Sequence, residues 1–151
     1  MIPASFDYEV AESVEHAVEL LGSREDAKLL AGGHSLLPAM RLRISRPALL
    51  VDVGRLRALR YVRDDGDAIA IGALTRHHDL EGDPLVRERC GLLSHAAGEI
   101  GDPQVRSRGT IGGSLAHADP AADLPAVLVS ATVVATTAHN RSGATPWTHK
   151  L

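Results

Sequence analysis

Two pairs of adjacent glycines stand beside hydroxyl-bearing residues in this 151-residue sequence, and both are candidates for phosphate binding. The first pair lies in Ala31-Gly32-Gly33-His34-Ser35-Leu36, between an apolar stretch and a predicted helix. Adjacent glycines permit a tight turn and expose consecutive N–H groups with no Cβ in the way. Ser35 adds a hydroxyl at the predicted start of the helix, where the helix dipole also favours an anion. The pattern predicts a phosphate-binding loop, although a strand-to-helix turn without a ligand explains the same residues.

The second pair lies in Arg108-Gly109-Thr110-Ile111-Gly112-Gly113-Ser114. The hydroxyls of Thr110 and Ser114 flank the glycines and can donate to phosphate oxygens. Neither stretch has the spacing of a GxGxxG fingerprint or of a Walker loop. Two such loops in one small domain suit a ligand with two phosphates, and a dinucleotide is the natural candidate.

The remaining polar residues give weaker signals. His34 could bond a phosphate or satisfy a backbone group of the loop. The neighbours His77 and His78 point to different sides of a predicted helix, which favours a solvated face over a metal site. His117 and Asp119 lack further ligands nearby, so no metal site is predicted. No nucleophile elbow occurs, and no catalytic residue is assigned.

Short strands and helices alternate along the chain. The first part is predicted to contain a helix after Ser13, a strand over 28–31, a helix over 36–44 and a strand over 48–53. The second part is predicted to contain a strand–turn–strand over 59–73, a helix over 77–81 capped by Thr75, one long helix over 84–100, a helix over 120–130 and a strand over 132–137. The alternation indicates an α/β or α+β fold with two small subdomains.

Composition excludes several classes of protein. Apolar residues make up 44% and charged residues 23%, as in ordinary soluble domains. The net charge of −3 leaves no basic footprint for nucleic acid. The single cysteine, Cys90, excludes an iron–sulfur cluster held by this chain. No apolar run is long enough to span a membrane and no secretory signal opens the sequence, so a cytoplasmic location is expected.

Five stretches resemble one family, the flavoprotein (medium) subunits of carbon monoxide dehydrogenase and related enzymes of the xanthine dehydrogenase family. Residues 31–38 resemble the first FAD loop of these subunits, and residues 110–114 resemble the second. The stretches 2–8, 101–106 and 119–125 also match the family pattern. The resemblance covers about residues 1 to 137.

The resemblance implies an α+β, PCMH-type FAD-binding fold with FAD between two subdomains. A small N-terminal α/β subdomain would occupy 1–55, and an incomplete second α+β subdomain would occupy 56–137. Backbone amides of both loops are expected to hold the pyrophosphate. Ile100 would pack against the cofactor, and Asp123 would lie near its ribityl and phosphate region. The expected FAD-binding residues are Ala31, Gly32, Gly33, His34, Ser35, Leu36, Ile100, Thr110, Ile111, Gly112, Gly113, Ser114 and Asp123.

The implied function is electron transfer in an oxidoreductase complex. In such enzymes a large subunit oxidises the substrate at a molybdopterin cofactor, and a small subunit carries iron–sulfur clusters. Electrons then reach FAD on the medium subunit and pass to an acceptor, so this chain alone is not expected to be a complete enzyme.

The sequence departs from the family pattern at its end. Relatives continue into further segments, whereas residues 138–151 are polar, aperiodic and expected to form a disordered or aberrant tail. One alternative is therefore a truncated, non-catalytic flavin-binding remnant or scaffold. A stand-alone PCMH flavoenzyme is a second alternative, but it would need a substrate-binding domain that a chain of this length lacks.

Overall fold

The structure, a computed structural model, describes residues 2–119, 121–130, 134–135 and 149–150. The chain divides into two units: the first takes Met1–Leu56 together with Val133–Leu151, and the second takes Arg57–Thr132. Both units mix helices and strands. The interpretation of 1–55 and 56–137 as subdomains of one FAD site stays a prediction. Within the described residues, no helix is long and apolar enough to cross a membrane.

A three-stranded parallel sheet forms the core of the first unit. Its elements are β1 (Asp7–Val10), α1 (Val14–Ser23), β2 (Ala27–Leu30), α2 (Leu36–Arg41) and β3 (Leu49–Asp52). β3 lies between β1 and β2 and is parallel to both. Its Leu49, Leu50 and Val51 are buried, as expected of a central strand in a parallel sheet. Val10 and Leu30 both pair with Asp52, so the three strands end at the same edge of the sheet.

The ends of the helices in the first unit follow from local hydrogen bonds and backbone angles. Ser13 caps α1 as predicted, because its Oγ accepts from the N–H of His16 at 3.0 Å. α2 ends at Arg41 instead of the predicted Ile44. The reason is Arg43, whose φ of 59° is left-handed and stops the helix.

The second unit joins a two-stranded hairpin to a group of short helices. Its elements are a 3-10 turn (Arg57–Leu59), β4 (Val62–Asp65), β5 (Ala68–Ile71), α3 (His77–Gly82), α4 (Pro84–Arg89), α5 (Gly91–Glu99), α6 (Pro103–Arg106), α7 (Ile111–His117) and α8 (Asp123–Ser130). Helices α3, α4, α5 and α8 all contribute buried apolar side chains, among them Leu80, Val86, Leu93 and Leu124 in that order. The unit therefore has an aliphatic core of its own.

Two predictions for the helices of the second unit are wrong. The single helix over 84–100 is two helices, because Cys90 between them has φ −146° and ψ 57°, which no α-helix adopts. Thr75 does not cap α3, whose N-cap residue is Arg76. The Thr75 hydroxyl instead donates to the carbonyl of Tyr61 at 2.9 Å.

Two-residue strands complete the described part of the chain. β6 (Val134–Ala135) pairs antiparallel with β7 (His149–Lys150), and both fall in the first unit. Otherwise the predicted strand over 132–137 and the predicted tail over 138–151 lie outside the described residues.

Candidate functional site

The first glycine-rich loop, Ala31–Ser35, leaves the carboxyl end of β2 at the common edge of the parallel sheet. Gly33 has a φ of +79°, a conformation that L side chains rarely adopt. Its carbonyl accepts from the N–H of Leu37 at 2.9 Å and so closes the turn into α2. The carboxyl edge of a parallel sheet is where open α/β folds bind their ligands.

The backbone amides of this loop are available for a ligand. Among the described residues, no oxygen accepts a hydrogen bond from the amides of Gly32 through Leu36. The Ser35 side chain makes no cap bond to α2. His34 and Ser35 are exposed, and the glycines are half-buried. A run of consecutive free amides forms a concave anion site, so the loop fits a phosphate group.

The second glycine-rich stretch is not an open loop, contrary to the sequence-based expectation. Ile111 through Ser114 form the first turn of α7, and Thr110 is its N-cap residue. The Thr110 Oγ1 accepts from the N–H of Gly113 at 3.2 Å. Threonine and serine are preferred at this position because their oxygen satisfies an amide at the start of the helix.

Most amides of this turn are already bonded within the protein. The N–H of Ile111 donates to the Thr75 carbonyl at 3.0 Å, and that of Gly112 donates to the Ala73 carbonyl at 2.9 Å. The N–H of Ser114 donates to the Thr110 carbonyl at 3.0 Å. The expectation that amides of this stretch hold a pyrophosphate stays a prediction, and the hydrogens of Ile111, Gly112, Gly113 and Ser114 already bond to protein oxygens. Among the described residues the N–H of Thr110 has no acceptor, so this amide and the hydroxyl hydrogens of Thr110 and Ser114 are donors that the turn can still offer.

The second glycine pair has a packing role. A Cβ on Gly112 would lie 2.7 Å from both the Cβ and the carbonyl oxygen of Ala73. Such distances are sterically forbidden, so only glycine lets α7 approach the chain after β5 this closely. The Gly-Gly sequence thus serves helix packing here, whereas in the first loop it serves a left-handed turn.

The two remaining predicted contacts lie at helix ends. Ile100 is the half-buried residue that follows α5, and its carbonyl accepts from Nη1 of Arg106 at 3.2 Å. Asp123 is the exposed first residue of α8. The turn before it is closed by Asp119, whose Oδ1 accepts from the N–H of Ala121 at 2.9 Å.

The prediction of a solvated face at His77 and His78 holds for His78 and is wrong for His77. His78 is 74% exposed, but His77 is only 3% exposed. His77 precedes the fully buried Leu80 by three residues, and this spacing places both on one helix face. The three-residue spacing from His77 to Leu80 is the sequence signal for this burial. In the described residues, no three His, Cys, Asp or Glu side chains are grouped as a metal site requires.

The sequence matches the model of one protein family over residues 4–146, described as the FAD binding domain in molybdopterin dehydrogenase. This match covers nearly the whole chain. The chain belongs to that family of FAD-binding domains. FAD, expected from the resemblance to flavoprotein subunits, is thereby confirmed as the cofactor of the family.

Individual members of the family are similar to this FAD-binding domain. It is 54% identical over 131 residues to the 6-hydroxypseudooxynicotine dehydrogenase complex subunit alpha of Paenarthrobacter nicotinovorans, covering 86% of this chain and 44% of that subunit. It is 51% identical over 131 residues to the carbon monoxide dehydrogenase medium chain of Hydrogenophaga pseudoflava, and the match covers 86% of this chain and 46% of that medium chain. The chain therefore spans less than half the length of these relatives.

Solved structures agree with the sequence comparison. Carbon monoxide dehydrogenase from Hydrogenophaga pseudoflava superposes with a TM-score of 0.83 at 52% identity, covering 85% of this chain and 45% of that one. Quinoline 2-oxidoreductase from Pseudomonas putida 86 also gives a TM-score of 0.83 at 32% identity, and the match covers 86% of this chain and 46% of that one. The predicted α+β, PCMH-type fold is confirmed, and so is the resemblance to medium subunits.

Proposed function

We propose that this FAD-binding domain holds FAD by its diphosphate and acts as the flavin site of an electron-transfer subunit. The observation that carries the proposal is the run of amides from Gly32 to Leu36 that have no acceptor among the described residues, in a chain of this family. Bound flavin supplies the redox chemistry by taking up and releasing electrons. The protein's own contribution is to bind and orient the cofactor.

The predicted site residues contribute different groups to FAD binding in this proposal. The amides of the Ala31–Ser35 loop donate to phosphate oxygens, and the hydroxyls of Thr110 and Ser114 add two further donors. Ile100 offers an apolar contact, and Asp123 accepts from hydroxyls of the ribityl or ribose groups. No residue is assigned a catalytic role.

The partners follow from the names of the relatives. These are a complex subunit alpha and a medium chain, and both names denote parts of larger assemblies. We therefore propose an iron–sulfur small subunit and a molybdopterin large subunit as partners. Electrons would pass from the clusters through FAD to an acceptor. The cytoplasmic location expected from the sequence stays a prediction.

Titration of the purified chain with flavins and nucleotides tests the proposal. FAD and ADP share the diphosphate, whereas riboflavin lacks any phosphate. We expect FAD to bind with the visible bands of a protein-bound flavin that bleach with dithionite, ADP to compete, and riboflavin to bind at least about tenfold more weakly, as expected when charge-assisted hydrogen bonds are lost. A colourless protein that ignores FAD would instead support the flavin-binding remnant or scaffold.

A further inference from the structure

The ring of His77 lies against both ends of the turn formed by Thr110–Ser114. The backbone N–H of His77 donates to the carbonyl of Gly109 at 3.1 Å. A Cβ on Gly109 would lie 2.6 Å from the ring Cδ2 and 2.8 Å from Nε2, so the ring occupies the space that a side chain there would need. At the other end of the turn, Nε2 lies 3.4 Å from Oγ of Ser114.

The surroundings of the ring select one tautomer. His77 is 3% exposed, and its Nδ1 is buried without a hydrogen-bond partner among the described residues. Burial lowers the pKa of His77 below its usual value, so the neutral ring with one N–H is favoured. A proton on Nδ1 would leave a buried donor unsatisfied, which is rarer and costlier than an unpaired acceptor. The proton therefore belongs on Nε2, facing Ser114.

This tautomer fixes the direction of the Ser114 hydroxyl. An Nε2–H that donates to Oγ leaves the hydroxyl hydrogen of Ser114 free to donate elsewhere. The backbone N–H of Ser114 is already bonded to Thr110, so this hydrogen is the remaining donor of the residue. With the opposite tautomer the hydroxyl would donate to the ring and offer nothing to a ligand.

We propose that His77 is a positioning residue that orients the Ser114 hydroxyl toward the FAD diphosphate. The proposal rests on the function proposed above. The separation of 3.4 Å is long for a hydrogen bond, and contacts of this kind commonly tighten when the ligand binds. The role is assigned to the side chain of His77, which acts through its contact with Ser114.

The test compares FAD and riboflavin affinities of four purified chains: wild type, His77→Leu, His77→Gln and Ser114→Ala. Leucine fills the space without a donor, whereas the glutamine amide places an N–H near the position of Nε2. We expect His77→Leu and Ser114→Ala each to weaken FAD binding by roughly fivefold to tenfold, the loss of about one hydrogen bond. His77→Gln should stay within about twofold of wild type, and riboflavin affinity should not change in any variant.

The double variant His77→Leu/Ser114→Ala separates positioning from a structural effect. If His77 acts through Ser114, the double variant binds FAD no more weakly than Ser114→Ala alone. Additive losses, or equal losses for FAD and riboflavin, would overturn the proposal. A wild-type chain that binds no FAD would instead refute the proposed function and remove the basis of this role.

The tautomer is also measurable in the wild-type chain, which needs no variant to fold. Nitrogen-15 NMR of the histidine rings should show His77 with its proton on Nε2, both without ligand and with FAD. A proton on Nδ1 contradicts the proposal whatever the variants do.

Discussion

At the scale of single residues, the left-handed conformation of Gly33 determines the path of the first glycine-rich loop. Alanine at a φ of +79° costs about 1–2 kcal/mol, so Gly33→Ala should shift the loop and misalign its amides. We expect FAD affinity to fall by about fivefold or more in a flavin titration.

Gly66→Ala is a matched control for this substitution. Gly66 has a φ of +74° in the turn between β4 and β5, and a Cβ there meets nothing within 4 Å. The Gly66→Ala substitution should lower the free energy of unfolding by about as much as Gly33→Ala does, and it should leave FAD affinity within about twofold of wild type. Equal losses of affinity in the two variants would show that Gly33 affects binding only through stability.

A second residue-scale prediction concerns the pH dependence of stability at His77. Burial lowers the pKa of His77 in the folded chain, while the unfolded chain keeps the usual value near 6.5. Between the two values the unfolded chain binds more protons, so the free energy of unfolding falls as pH drops below about 6.5. Urea unfolding at several pH values should show a steeper fall for wild type than for His77→Gln. Parallel curves would mean that His77 is protonated equally in both states.

At the scale of secondary-structure elements, the approach of α7 to Ala73 explains the second glycine pair. Gly112→Ala would force two forbidden contacts with Ala73, and overpacking of this kind costs about 1–3 kcal/mol. We expect a lower urea midpoint for this variant, measured by circular dichroism.

Gly91→Ala provides the control for a helical glycine. Gly91 begins α5, and a Cβ there meets nothing within 4 Å. Alanine should raise the free energy of unfolding by up to about 1 kcal/mol, because it has the higher helix propensity. If Gly112→Ala were equally stabilising, the close packing of α7 would be wrong.

The same elements show what the sequence could and could not predict. Strands β2 to β5, the first loop and the start of α1 were predicted because their signals are local: apolar runs, a Gly-Gly turn and the Ser13 cap. Strand β1 was not predicted. The break at Cys90 was missed although Gly91 follows it, because a single glycine inside a helical pattern is often tolerated. The commitment of the amides at Ile111 and Gly112 was also missed, because their acceptors, Thr75 and Ala73, lie more than thirty residues earlier in the chain. Contacts at such separation leave no trace in a local pattern.

At the scale of the whole molecule, the two candidate binding elements belong to different units. The Ala31–Ser35 loop lies in the first unit, and the Thr110–Ser114 turn lies in the second. Each unit has its own buried residues, so each can be followed separately by amide hydrogen exchange. The proposed function requires that one FAD molecule protect amides in both.

The expected exchange pattern differs between the two elements. The amides from Gly32 to Leu36 have no partner among the described residues and should exchange rapidly in the free chain, then slow when FAD is added. The amides of the α7 turn are already bonded, so they exchange only through local opening. FAD at one hundred times its dissociation constant stabilises the folded state by about 2.7 kcal/mol, which slows exchange from ligand-free open states by up to about a hundredfold. ADP should protect the first loop as well as FAD does, and riboflavin should protect neither. Protection confined to one unit would mean that the two glycine motifs do not share a ligand, and the diphosphate would then belong to the first loop alone.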